Sequence, residues 1–338
     1  MTRPTLPPEV AAGVRAILGG QVRVVEELTP AWARTTRSVL VGTRAEEGRF
    51  VVQWSIGARA AGRRAMGRRL RLGRELARLA PRLPVPEVLG GDGHGPTPYV
   101  VSRFVAGTSG RDLLDDDAHA PLVGTATGRV AREIARVPAA GLRLSRTWAD
   151  SDRLAAAARR WLEEAGAHVG AEAADAVRGI IERLPDRFAG VRPAFAHGDL
   201  APVNLLIRDD AVVALLDLER ARLAHPLFDA AWWSWIIRYH HPARWPAAGR
   251  AFLAEAGIER SAGTLAQLNG LAVLQCLEML AGTPARETGT RREWADRVAR
   301  VLEWSDDDVV PPIEPPPARL QRAARTPASS CLSRAERG

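Results

Sequence analysis

Asp199, Asn204 and Asp217 are the residues whose types and spacing can do chemistry in this chain of 338 residues. Asp199 and Asn204 stand five apart within Ala196-His197-Gly198-Asp199-Leu200-Ala201-Pro202-Val203-Asn204. An apolar run over 211–216 then delivers Asp217. Phosphoryl transfer asks for such a set. One carboxylate orients an attacking hydroxyl and takes its proton, while an amide oxygen and a second carboxylate hold Mg2+ against the phosphates. Asp199 is the candidate base; Asn204 and Asp217 are the candidate metal ligands. The plainer alternatives are a capping or turn aspartate at 199 and a strand-end turn carboxylate at 217. The apolar run that aims Asp217 argues against the second.

His197 precedes Asp199 by two, so the stretch has the His-x-Asp-(x)4-Asn spacing of protein-kinase catalytic loops, with Gly198 where those loops carry arginine. Residues 197–207, residues 215–219 and the string His225-Pro226-Leu227-Phe228-Asp229 together resemble the core of the aminoglycoside phosphotransferase and choline kinase-like family. The resemblance covers roughly residues 20 to 305, on the domain sizes such a chain supports, and is most specific in the C-terminal half. It implies an α+β, two-lobed protein-kinase-like fold. The N-lobe would be a small antiparallel sheet with one helix, and the C-lobe larger and mainly helical. The activity implied is Mg2+-dependent transfer from ATP or GTP to a hydroxyl of an antibiotic, sugar or amino alcohol.

The same resemblance suggests roles for further residues. His197 and Asp229 would brace the loop, and Asp229 also suits the cap of a helix starting at Ala230. Glu75 would be the helix carboxylate that pairs with a cation on the third strand, unless it pairs with Arg71 or Arg78 at helical spacing. The strand position that should carry the cation is Gln53. Residues 29–36, which would cover the phosphates, contain no glycine. Arg37 or Arg59 could substitute for the missing cation. Arg103 and Val105, at the connection between lobes, would contribute to the nucleotide site.

On the acceptor side, Glu219 follows Asp217 by two and would point the same way on an extended segment. Trp232, Trp235 and Tyr239 share one helix face, suited to stacking a sugar or holding a cation, or simply to core packing. Glu278 could meet an amine of the acceptor, or lie with Gln267 and Gln275 on a solvated face. Asp115, Asp116 and Asp117 read as a charged loop or as acidic surface for a cationic substrate.

These residues need elements to position them. A helix is expected over 8–18, stopped by Gly19 and Gly20. Strands follow over 21–28, 36–43 and 49–55, the last two joined by a turn over 44–48. A helix over 59–80, ended by prolines, precedes strands over 85–89 and 98–104. Residues 105–107 read as the hinge. Beyond it helices are expected over 121–136, 151–166, 171–184, 229–239, 246–257, 262–280 and 291–304, interrupted by two short strands around Asn204 and Asp217. The organisation expected is a lead over 1–20, an N-lobe over 21–106, a C-lobe over 107–305 and a disordered Pro- and Arg-rich tail over 306–338.

Composition bounds the rivals. Net charge is +8, and all 47 basic side chains other than histidine are arginine, so no lysine can serve as a phosphate clamp. Eight arginines face one glutamate between Arg59 and Arg78. That patch makes a nucleic-acid binder a rival reading, though no reading motif accompanies it. Gln53 and the glycine-free loop motivate a second rival, a nucleotide-binding module without activity. Cys276 and Cys331 are too few for a disulfide framework, which fits a reducing cytoplasm. No uninterrupted apolar run approaches the roughly 20 residues a membrane span needs.

Overall fold

The computed structural model describes residues 5–28, 36–43, 49–56, 60–259 and 261–304. The expected phosphate-covering stretch 29–35, the turn 44–48, Arg59 and the tail 306–338 lie outside them.

The N-terminal lobe starts with helix α1 (Pro8–Leu18), which has proline in its first turn and closes on Gly19 in the left-handed conformation. Strands β1 (Val22–Glu27), β2 (Thr36–Thr43) and β3 (Arg49–Ser55) follow, then helix α2 (Ala60–Leu79), then β4 (Val88–Asp92) and β5 (Tyr99–Arg103). They form an antiparallel sheet in the order β1-β2-β3-β5-β4. Alternation along the strands sorts the side chains between two faces. Val39, Val41, Phe50, Val52, Trp54, Tyr99 and Val101 face Val10 and Val14 of α1, so residues 8–18 complete the core of this lobe instead of standing apart as a lead.

The opposite face carries Thr36, Ser38, Val51, Gln53 and Ser102 toward the gap between lobes. Helix α2 crosses this side of the molecule. Its Leu72 and Leu76, one turn apart, are buried with Phe195, Leu200, Leu205, Leu215 and Leu218 of the second lobe. One helix therefore belongs to both lobes, and its apolar face fixes the position of its polar one.

The second lobe contains β6 (Thr108–Ser109), α3 (Gly110–Leu113), α4 (Ala120–Ala135), α5 (Ser151–Val169), α6 (Ala171–Glu182) and α7 (Leu184–Phe188). Then come β7 (Ala194–Ala196), β8 (Leu205–Arg208), β9 (Ala211–Leu215), β10 (Arg222–Ala224), α8 (Phe228–His240), α9 (Trp245–Ala256), α10 (Ala262–Gly282) and α11 (Thr288–Glu303). The short elements β6, α3, α7, β7 and β10 are too brief to show periodicity, and the sequence does not reveal them. β6, β8 and β9 make one small sheet, and β7 pairs with β10 in another. Among the described residues, three α-helix starts have side-chain caps: Ser109 accepts from the Arg111 N–H at 3.2 Å, Asp150 from the Arg153 N–H at 3.0 Å, and Ser261 from the Thr264 N–H at 3.2 Å. α10 is long and apolar enough to cross a membrane by length and composition, yet it packs against α5, α8 and α11 as the centre of the lobe.

Candidate active site

The segment from His197 to Asn204 leaves β7 and turns back into β8, while Asp217 lies two residues past the end of the hairpin partner β9. The Leu216 N–H donates to the Asn204 carbonyl at 2.8 Å, which locks the two arms side by side. Asn204 Nδ2 donates to the Asp199 carbonyl at 3.0 Å. That bond leaves Oδ1 of the amide as its acceptor atom. Asp217 sits at φ 60°, ψ 67°, a left-handed conformation rare outside glycine, which turns its carboxylate out of the strand. Its Oδ1 is buried without a hydrogen-bond partner among the described residues. An orphaned carboxylate oxygen and an amide oxygen lining the same cleft are hard donors of the kind Mg2+ takes, with the remaining positions left to phosphate and water. No group of three or more His, Cys, Asp or Glu able to hold a metal occurs among the described residues.

His197 is fully buried, and its ring spans the two arms. Nε2 lies 2.9 Å from the Leu216 carbonyl, and Nδ1 is 3.3 Å from the Asp199 N–H. Those partners select the neutral tautomer with the proton on Nε2, a donor to one arm and an acceptor from the other. Asp229 lies in the first turn of α8, whose cap is Leu227, so the expectation that Asp229 caps the helix is corrected. Its carboxylate instead accepts from the His197 N–H at 2.7 Å and the Gly198 N–H at 2.9 Å. Burial pushes this carboxyl up from its ordinary value, and the two N–H donors pull the other way.

Gly198 explains why arginine is absent from this position. It adopts φ 87°, and a Cβ there would collide with the Arg220 carbonyl oxygen. Left-handed backbone and close approach both exclude a side chain.

Asp199 is half-buried at the end of the loop. Its Oδ1 accepts from Trp232 Nε1 at 2.7 Å. This corrects the reading of Trp232 as an open stacking wall. The ring is 6% exposed and packs on Trp235 at 4.8 Å, so one edge meets the base while its face belongs to the core. Glu278 is also corrected. Arg222 Nη1 engages both its oxygens, at 2.8 and 3.0 Å, and Arg220 approaches to 3.9 Å. It is neither a solvated residue nor a free carboxylate for an acceptor amine. Gln275, expected on the same solvated face, is buried and donates to the Phe228 carbonyl at 3.0 Å.

A cleft of about 620 Å³ opens between the lobes. Arg103 and Val105 line it from the hinge side, Gln53 and Ser38 from the sheet, and Asn204, Asp217 and Glu219 from its floor. Residues 218–220 form a single 3₁₀ turn, so Glu219 reaches the cleft from a turn and not from the extended segment expected of it. Burial pushes its carboxyl up, as does Asp217, while Arg69 and Arg68 oppose them. At the rim, Arg103 pairs with Glu87 at 2.6 Å and lies over the Phe50 ring.

The expected pairing of Glu75 with a cation on β3 is not made. Glu75 pairs with Arg71 along α2 at 3.8 Å, and Gln53 Oε1 accepts from Arg69 Nη1. Arg37 pairs with Glu27 at 3.5 Å and is half-exposed. It stands opposite Trp54 in the strand register, whereas Ser38 stands opposite Gln53 on the cleft side. No sequence period announces Arg69; it is one arginine among eight until α2 is docked. A separate depression of about 720 Å³, between the ends of α8 and α11, takes in Tyr239 of the acceptor-side candidates and none of the cleft residues.

Two lobes joined by a hinge, with Asn204 and Asp217 lining the cleft and Asp199 tied to Asn204 through its carbonyl, make a kinase-like architecture. The model of the phosphotransferase enzyme family matches residues 27–271, and the chain belongs to that family. Among solved structures, it resembles a thermostable mutant of aminoglycoside phosphotransferase APH(4)-Ia in ternary complex with ADP and hygromycin B. The TM-score is 0.59 at 16% identity, over 87% of this chain and 98% of that one. The GDP complex of aminoglycoside 2'-phosphotransferase-IIIa gives 0.61 at 15% identity, over 88% and 99%. At such identities the likeness is one of fold. No curated protein matches the sequence.

Proposed function

We propose that this chain is a small-molecule O-phosphotransferase that moves the γ-phosphoryl of ATP or GTP to a hydroxyl of its acceptor. The observation that carries the reading is the buried, unpartnered Asp217 Oδ1 beside Asn204, on a loop that also holds Asp199. Trp232 occupies one oxygen of Asp199 and leaves the other to accept the proton of the attacking hydroxyl. His197 and Asp229 act by fixing the loop against the Asp217 arm. Asn204 and Asp217 would hold Mg2+, whose charge offsets that of the phosphates during transfer. The acceptor class is taken from hydroxylated compounds: the related structures carry hygromycin B and kanamycin, and sugars and amino alcohols belong in the same set. We place it in the cytoplasm, because two cysteines offer no disulfide framework.

The test is a screen of hydroxylated antibiotics, sugars and amino alcohols for acceptor-dependent ADP or GDP release with Mg2+. A genuine acceptor should stimulate release in the wild type. Asp199→Asn should lower that rate by about 10²–10⁴-fold. Near-normal turnover in a folded Asp199→Asn protein would remove Asp199 as the base.

A further inference from the structure

Helix α2 brings positive charge to the cleft that strand β3 lacks. Two arginines line the cleft among the described residues, Arg69 and Arg103. Arg103 is engaged at the rim by Glu87. Arg69 stands deeper, with its Nη1 on Gln53 Oε1 and its charge facing Asp217 and Glu219. Burial pushes its guanidinium down from the ordinary value, and those two carboxylates oppose the shift. An arginine stays protonated in such a setting. The neighbouring Arg68 donates from Nη1 to the Glu219 carbonyl at 3.0 Å, so the same helical turn is fastened to the segment that follows Asp217. The helix is thus held against the floor of the cleft by a polar bond and by Leu72 and Leu76.

Electrostatics gives this arrangement a use. A nucleotide polyphosphate entering the cleft meets Asp217 and Glu219, two carboxylates that repel it. Mg2+ held by Asp217 would offset the first, but Glu219 is left facing the phosphates, and a guanidinium fork beside it matches two phosphate oxygens at once. Gln53 accepts from Arg69 through Oε1 and keeps its own amide hydrogens for a phosphate oxygen. We propose, resting on the phosphotransferase reading, that Arg69 is the phosphate-binding cation of the nucleotide site, supplied by the helix and aimed by Gln53 on the strand. The usual assignment, a strand cation aimed by a helix carboxylate, is exchanged between the two elements. Glu75 is thereby released to a surface pair with Arg71.

The experiment compares a nucleoside diphosphate with its nucleoside by calorimetry in Mg2+, using ADP and adenosine, and GDP and guanosine. In the wild type the diphosphate of the preferred base should bind more tightly than the nucleoside. Arg69→Gln should weaken diphosphate binding by about tenfold or more, the scale of a charge-assisted hydrogen bond, and leave the nucleoside unchanged. Arg37→Ala should bind both as the wild type does. If Arg69→Gln fails to fold, Gln53→Glu carries the test: a carboxylate there would claim the guanidinium and lower diphosphate affinity in the same selective way. Wild-type diphosphate affinity in a folded Arg69→Gln protein, or in Gln53→Glu, overturns this assignment alone. A wild-type protein that binds neither ADP nor GDP overturns the phosphotransferase reading and the assignment with it.

Discussion

A carboxylate proposed as a base has to be held as well as present, and one indole does part of the holding of Asp199. Trp232 Nε1 donates to Asp199 Oδ1 at 2.7 Å, and the same ring is clamped by Trp235 and Trp294. The donor cannot swing away without disturbing the core. Removing the N–H while keeping an aromatic ring isolates its contribution. Trp232→Phe should lower kcat by about tenfold or somewhat more, the scale of a hydrogen bond to a charged group, with the nucleotide KM unchanged. Steady-state kinetics with nucleotide varied at saturating acceptor separates the two parameters. A rise in nucleotide KM with kcat intact would mean that the indole supports the cleft and not the base. Residue types alone could name Asp199, Asn204 and Asp217, because their spacing is local. They could not name the Trp232 contact, which joins residues 33 positions apart, nor Arg69, whose partners come from a strand and a distant turn.

At the scale of elements, the loop works because backbone conformation and close packing coincide at Gly198. Its N–H is used by Asp229, its φ is positive, and its missing Cβ admits the Arg220 carbonyl. Gly198→Ala must therefore strain the backbone, at about 1–3 kcal/mol, or displace the Arg220 segment, which adjoins Asp217 and Glu219. We expect a lower melting temperature and a loss of activity beyond what the stability change explains. Gly166 is the control. It lies within α5, and a Cβ added there would meet nothing within 4 Å. Gly166→Ala should therefore be neutral or gain about 0.5–1 kcal/mol from helix propensity. Equal behaviour of the two variants in thermal melts would refute the packing argument. The long elements were legible because their apolar periods are local; α2 and α10 start and stop within two residues of expectation. The short strands β7 and β10 were not, since three residues carry no period and their pairing is decided by the rest of the lobe. Gln275 and Glu278 misled for a related reason: a polar stripe on a helix reads as solvated until a buried carbonyl or an arginine from elsewhere is seen to meet it.

Across the whole molecule, stability and pH are linked through groups that the fold buries. His225 is 5% exposed, its Nδ1 accepts from the Leu227 N–H at 3.1 Å, and the Phe188 ring stands edge-on 4.9 Å away. Burial drives its pKa down from 6.5 to about 4. The folded state therefore keeps His225 neutral at pH values where the unfolded chain protonates it. The sign follows directly: the contribution is fully present above about 6.5 and is lost as pH falls toward about 4. Two and a half pH units at about 1.4 kcal/mol each give an upper figure of about 3.5 kcal/mol. Asp229 and Glu219 run against this trend. Their carboxyls are pushed up by burial, so their ionisation costs stability near neutrality, and acid relieves that cost. The total pH profile mixes these opposed effects, and a single curve would not apportion them. The difference between wild type and His225→Asn does. The variant will be less stable at pH 8 through lost packing, but its stability should fall less steeply between pH 6.5 and 4. Denaturant titrations at half-unit steps should show the two curves converging as pH drops. Parallel curves over that interval would mean that His225 titrates alike in the folded and unfolded chain, and that its burial carries no acid sensitivity.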